Sequence, residues 1–172
     1  MRNAGKLIEE VIAREGGYVN HSCDRGGETK YGITINTYKQ WCLKKGLKQK
    51  PLRLLTVGEA EKIYLENYYL APNIAALPEY MQEVVMDTAV LHGTRRAAKY
   101  LQKLCGVKVD GAIGPITVNA AEALHKEMFL LNYIKLRIDN YIDIIKKDSS
   151  QKVFLQGWVN RSYEFLLKEG AD

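Results

Sequence analysis

At 172 residues the chain suits one domain, or one domain with a small appendage, and can bury about 70% of its unfolded surface without help from disulfides or metals. Hydrophobic residues at 47% and charged residues at 26% exclude a disordered chain and a long coiled coil. The net charge of +5 favours a polyanionic partner, whether nucleic acid, a membrane surface or a cell-wall polymer.

In chain order, residues 3–14 read as an amphipathic helix, with Leu7, Ile8, Val11 and Ile12 on one stripe and Gly16 and Gly17 as its stop. Glu9 and Glu10 interrupt the apolar stretch, so no signal peptide is expected. That leaves two expectations: a protein that works in the cytosol, or one made there and released by another system. Residues 16–34 carry five glycines and read as loop or short hairpin. A helix is expected from Asn36 to Lys45, ended by Gly46, then a basic connection over 46–55. From Thr29 to Gly58 stand seven bases (Lys30, Lys39, Lys44, Lys45, Lys48, Lys50, Arg53) and no acid. This run is either a solvated face or an attraction to an anionic wall. No nucleic-acid signature accompanies it, and no apolar run suits a membrane span.

Thr56-Val-Gly-Glu59 is a capping box opening a helix towards Tyr69, with Pro72 behind it. Pro78 starts another helix that carries Met81, Val84, Val85, Thr88 and Leu91 and ends at Gly93. Thr94 is placed to cap the next, which buries Ala97, Tyr100, Leu101 and Leu104. Residues 106–114 form a turn segment, and Pro115 suits a first helical position. Helix then runs with a break to Lys147, and a last helix covers Val153 to Lys168. Cys23, Cys42 and Cys105 make no metal or disulfide pattern and read as reduced thiols. The expected class is mainly α, with a small β-hairpin near the front.

Glu15 falls four residues after Val11 and three after Ile12, on the apolar stripe and in the last helical turn. Both the apolar setting and the negative end of the helix dipole disfavour its charged form. A glycosidase general acid must hold a proton, and such a setting is one way to do so; taken alone, a solvated glutamate at a helix end is the commoner reading. The following loop holds Asp24, Gly26, Gly27, Thr29, Tyr31 and Gly32. Asp24 and Thr29 fit two readings: a second carboxylate and a water-holding hydroxyl for glycoside hydrolysis, or ordinary turn chemistry. Tyr18 and Tyr31 flank the loop, where they could stack on sugar faces or pack in a core.

The run Glu15-Gly-Gly-Tyr-Val-Asn20, Asp24-Arg-Gly-Gly-Glu-Thr29, Tyr31-Gly-Ile-Thr34 resembles the front of glycoside hydrolase family 108. That family comprises phage endolysins and bacterial secretion-activator-type muramidases. Its EGGY glutamate and its D-x-G-G-x-T-x-x-G-I motif are both present. Phage-type lysozymes also order Glu, Asp and Thr after a first helix; here the gaps are eight and four residues. Asp87-Thr-Ala-Val-Leu-His-Gly93 resembles the family's D-x-A-V-N-x-G segment, with Leu91 in place of Asn. Arg96 to Gln102 and Val109 to Thr117 resemble its C-terminal peptidoglycan-binding region, although Asp110-Gly111 as a turn and Gly114-Pro115 as a helix start explain the second stretch without any ligand, the reading favoured over direct wall binding.

The resemblance implies a lysozyme-like fold with a catalytic region over residues 1–93 and a helical wall-binding region over 94–172. It implies hydrolysis of the β-1,4 bond between N-acetylmuramic acid and N-acetylglucosamine. Glu15 would be the acid, Asp24 and Thr29 its catalytic companions, and Tyr18, Tyr31, Gly32 and Asp87 contacts to glycan. Peptidoglycan strands are the implied partner, with no cofactor, metal, nucleic acid or stable membrane insertion. A lytic transglycosylase and a non-catalytic wall-binding or secretion-assisting module remain the rival readings.

Overall fold

The computed structural model describes residues 4–19 and 27–167, and among them the chain forms eight α-helices and one three-stranded antiparallel sheet. The class is mainly α, as expected. Two units are distinguished, Met1–Ala71 and Pro72–Asp172.

In the first unit, α1 (Ala4–Glu15) buries Leu7, Ile8, Val11 and Ile12, the stripe read from the sequence. It packs on α3 (Val57–Tyr64), which begins at a complete capping box. The Glu59 backbone N–H donates to Thr56 Oγ1 at 3.2 Å and the Thr56 N–H donates to the Glu59 carboxylate at 2.9 Å, so two donors that the helix start would orphan are satisfied. These bonds, with Lys50 beside them, hold the Glu59 carboxyl below its ordinary range. The expected helix onward to Tyr69 exists but widens into a π-helical stretch over Leu65–Leu70. Helix α2 (Ile35–Lys45) begins at a cap that the sequence reading passed over: Thr34 accepts a hydrogen bond from the Thr37 N–H. Strands β1 (Tyr18–Val19), β2 (Thr29–Lys30) and β3 (Ile33–Thr34) pair in chain order. Within the basic connection a 3₁₀ turn, Leu52–Leu54, buries Leu52, and Leu55 follows it into the core.

The second unit holds α4 (Glu79–His92), α5 (Thr94–Cys105), α6 (Pro115–Glu122), α7 (Lys126–Lys147) and α8 (Leu155–Leu167). Helix α4 packs on α5 and α7, α5 on α6 and α7, and α7 on α8. Thr94 does not cap α5; it is the first helical residue, and Gly93 takes the cap position without a side-chain bond. The turn segment after α5 is closed from inside. Buried Gln102 donates to Asp110 Oδ1 at 2.7 Å and to the Ala112 carbonyl at 2.9 Å, and accepts from the Gly111 N–H at 2.8 Å. Asp110, Gly111 and Ala112 are therefore engaged by Gln102 within the fold, and the Ile113 carbonyl accepts from Asn73 at 3.0 Å. Among the described residues no helix is long and apolar enough to cross a membrane.

Asp87, expected from the resemblance to touch glycan, lies instead in the core of this unit with 0% exposure. One carboxylate oxygen accepts from Arg137 at 2.8 Å and the other from Arg161 at 2.7 and 3.0 Å. A carboxylate with no exposed surface and both oxygens engaged organises α4, α7 and α8 rather than a ligand. Burial alone would raise its pKa, but the two guanidinium groups outweigh burial and hold the carboxyl below its ordinary value of 3.8. His92, one turn on, packs its ring against Tyr141 in a tilted arrangement with centroids 5.4 Å apart. Burial, with Arg137 and Arg96 adding to it, pushes its imidazole down from 6.5 to about 4.

Replacing Asp87 by Asn should lower unfolding free energy by about 3–5 kcal/mol in urea titrations, because the fully buried Arg137 keeps its charge and loses its counterion. Stability should also fall as pH drops from 6.5 towards 4, since the unfolded chain takes up a proton that folded His92 refuses. His92→Phe should remove that part of the slope in melts run across this range. Below it the Asp87 contribution, complete above pH 3.8, is lost as pH falls through the depressed folded value.

Candidate active site

Glu15 is the last residue of α1 and is half-buried. Past it the chain turns through Gly16 and enters β1, where Tyr18 pairs with Lys30 and Val19 with Thr29. Strand β2 then pairs with β3, Thr29 opposite Thr34 and Lys30 opposite Ile33. This register leaves a two-residue loop, Tyr31-Gly32. Both residues are left-handed, at φ 53° and 72°, as a tight hairpin turn of this twist requires.

The second of them must be glycine for another reason. A Cβ at Gly32 would lie 2.8 Å from Glu15 Cγ, 2.9 Å from Glu15 Cβ and 2.8 Å from the Tyr64 hydroxyl oxygen. The aliphatic stem of Glu15 thus rests on the bare Cα of the turn. Tyr64, at the end of α3, donates its hydroxyl to the Tyr31 carbonyl at 2.7 Å. On the other side of the hairpin, Lys30 Nζ donates to the Arg53 carbonyl at 2.6 Å and stands 5.2 Å from the centre of the Tyr31 ring. The turn is thus tied to α3 through Tyr64, its neighbour Lys30 is tied to the 3₁₀ turn, and Gly32 lies close against the Glu15 stem.

The structure brings together Glu15, Gly32 and Tyr31, with Thr29 half-buried on β2 two residues before the turn. Tyr18 is 43% exposed on β1, so its ring is accessible. Asp24 lies outside the described residues, as do His21, Cys23 and Gly26. Asp87 belongs to the core of the other unit. Tyr64 went unnoticed in the sequence: helical spacing marks it as buried, but nothing local says that its hydroxyl reaches Tyr31. A cavity of about 600 Å³ opens between α1 and α3, lined by Ile8, Glu9, Lys62 and Leu65 among others, and Glu15 is not part of its wall. No group of three or more His, Cys, Asp or Glu among the described residues is placed to hold a metal ion.

The basic run is less exposed in charge than it reads. Lys45 pairs with Glu66 at 2.7 Å and Lys50 with Glu59 at 3.1 Å, acids supplied by the helical stretch that follows the run. Lys45, with burial opposing and the Trp41 indole N–H assisting, holds the Glu66 carboxyl below its ordinary range. Lys39, Lys44, Lys48 and Arg53 remain solvent-exposed.

Residues 8–93 match the family described as glycosyl hydrolase 108, and residues 96–163 match a predicted peptidoglycan domain. Among solved structures the chain is similar to SagA of Brucella abortus, at 32% identity over 94% of this chain and 90% of that one, with a TM-score of 0.79. No curated protein matches the chain.

Gly16 and Gly32 offer an internal comparison, because both have positive φ but only Gly32 has neighbours within 4 Å of an added Cβ. Alanine at either site should cost about 1–2 kcal/mol through the backbone. Gly32→Ala should cost clearly more in thermal or urea unfolding, as Glu15 and Tyr64 must both shift. Equal losses at the two positions would mean that the turn does not support Glu15.

Proposed function

Since the chain belongs to the glycosyl hydrolase 108 family and is a glycoside hydrolase acting on peptidoglycan, we propose that it is a muramidase with Glu15 as its general acid. The bond cleaved is the β-1,4 link between N-acetylmuramic acid and N-acetylglucosamine. The observation that supports the assignment is the seating of Glu15 at the end of α1, its stem on Gly32, within the residues 8–93 that match the family. In the proposed reaction Glu15 protonates the leaving glycosidic oxygen. Asp24, with Thr29, positions a water or stabilises positive charge at the anomeric carbon. Water adds to the muramic acid carbon, and its proton passes to the carboxylate opposite the acid. We favour inversion, in which the two carboxyl groups stand roughly 6.5–9.5 Å apart with the water between them. Tyr18 and Tyr31 offer rings to sugar faces. The substrate lies outside the cytosol, so we further propose that the protein acts on the wall after release by another system.

Glu15→Gln keeps size and removes the proton donor. Turbidity loss of purified wall should therefore fall by about 10²–10⁴-fold while the melting temperature barely moves. Retention of more than roughly a tenth of activity contradicts the assignment. Product masses separate the rival reactions: hydrolysis adds water, whereas a transglycosylase leaves an anhydro-sugar, and a non-catalytic module leaves the glycan intact. Lysis of whole walls should weaken with added salt, because exposed charges are screened over about 8 Å at physiological ionic strength. Charge reversal at Lys44, Lys48 and Arg53 together should flatten that salt dependence; an unchanged profile would assign the bases to solubility alone.

A further inference from the structure

We propose that Tyr64 is a positioning residue for the reaction, setting the place of the Glu15 carboxyl through the Tyr31-Gly32 turn; the inference rests on the reading of Glu15 as the acid. Tyr31 is one of two non-glycine residues among those described with positive φ, the other being Asn73 in the second unit. Such a conformation costs about 1–2 kcal/mol for a residue with a Cβ, so something must hold it. The Tyr64 hydroxyl does so by donating to the Tyr31 carbonyl at 2.7 Å, in a part-buried setting where an unmet carbonyl is costly.

The same hydroxyl oxygen and the Glu15 Cγ each lie 2.8 Å from the point where Gly32 lacks a Cβ. Acid stem, turn and phenol therefore meet at one place. The phenol comes from α3, the helix against which α1 is packed. Tyr64 is 1% exposed, and its ring packs near Tyr68 at 5.4 Å between centroids. A phenylalanine could fill that volume. What phenylalanine lacks is the donor that keeps the turn left-handed and pressed under Glu15.

Without that donor the turn can relax, Gly32 withdraws, and the Glu15 stem gains rotamers. Misplacement of a catalytic group by about 1 Å can cost about 10²-fold in rate. Because the group displaced acts on the bond being broken, the loss belongs in kcat rather than in substrate affinity.

The test uses the full chain on soluble glycan fragments, with kcat and KM measured beside thermal melts. Tyr64→Phe is expected to lower kcat about tenfold with KM within about twofold, and p-aminophenylalanine at position 64, which restores an N–H donor, should recover most of the rate. Wild-type kcat in Tyr64→Phe, or a loss carried in KM, overturns the proposal. If the phenylalanine variant does not fold, p-methylphenylalanine against p-aminophenylalanine, matched in size and differing in the donor, decides the same question by the same criteria. Glu15→Gln run alongside keeps the two readings apart. An active Glu15→Gln sinks the acid assignment, whereas an inactive Glu15→Gln beside a fully active Tyr64→Phe sinks only the role of Tyr64.

Discussion

The contact between the Glu15 stem and the Gly32 backbone is the constraint around which the first unit is arranged. It needs a helix that stops at residue 15, a hairpin whose register leaves a two-residue turn, and a glycine at the second turn position. Moving the β2–β3 register by one residue would put another residue under Glu15 and turn every strand side chain to the opposite face. The motif glycines thus have a physical meaning beyond family membership: Gly32 is where a side chain would displace the acid. The hydroxyl of Tyr64 and the ammonium of Lys30 fix the same turn from α3 and from the 3₁₀ turn at Leu52–Leu54.

In the second unit two polar clusters are engaged within the fold. Asp87, Arg137 and Arg161 tie three helices together in the core, with Tyr141 and Ser162 extending the chain of hydrogen bonds. Gln102 closes the turn whose sequence resembles a wall-binding signature. In both places a stretch that looks like ligand chemistry in one dimension serves the fold in three. Buried, paired charges of this kind are costly to break and easy to mistake for a site.

Helices were legible because their signals are local. The stripe of α1, the capping box at Thr56 and Pro115 at the head of α6 each lie within a few residues, and each appears as read. Less legible were features set by partners far away in the chain. Thr94 looked like a cap, but Gly93 occupies that place. Seven bases with no acid among them looked unopposed, yet Glu59 and Glu66 pair with two of them from the next helical stretch. Asp87 was assigned to glycan by resemblance, while the arginines that bury it stand 50 and 74 residues away. Glu15 and its glycine-rich loop could be named from the motif, but the dependence of Glu15 on Tyr64 spans two helices and a hairpin.

What distinguishes a general acid from any other important glutamate is that its proton matters only when the leaving group is poor. An aryl glycoside of the same glycan with a dinitrophenolate leaving group departs without protonation. The decisive measurement is the effect of Glu15→Gln on kcat/KM for that substrate and for native glycan. If Glu15 is the acid, the loss is about 10²–10⁴-fold on native glycan and nearly absent on the aryl glycoside. Equal losses on both substrates would contradict the account, since Glu15 would then be holding the site together rather than supplying its proton.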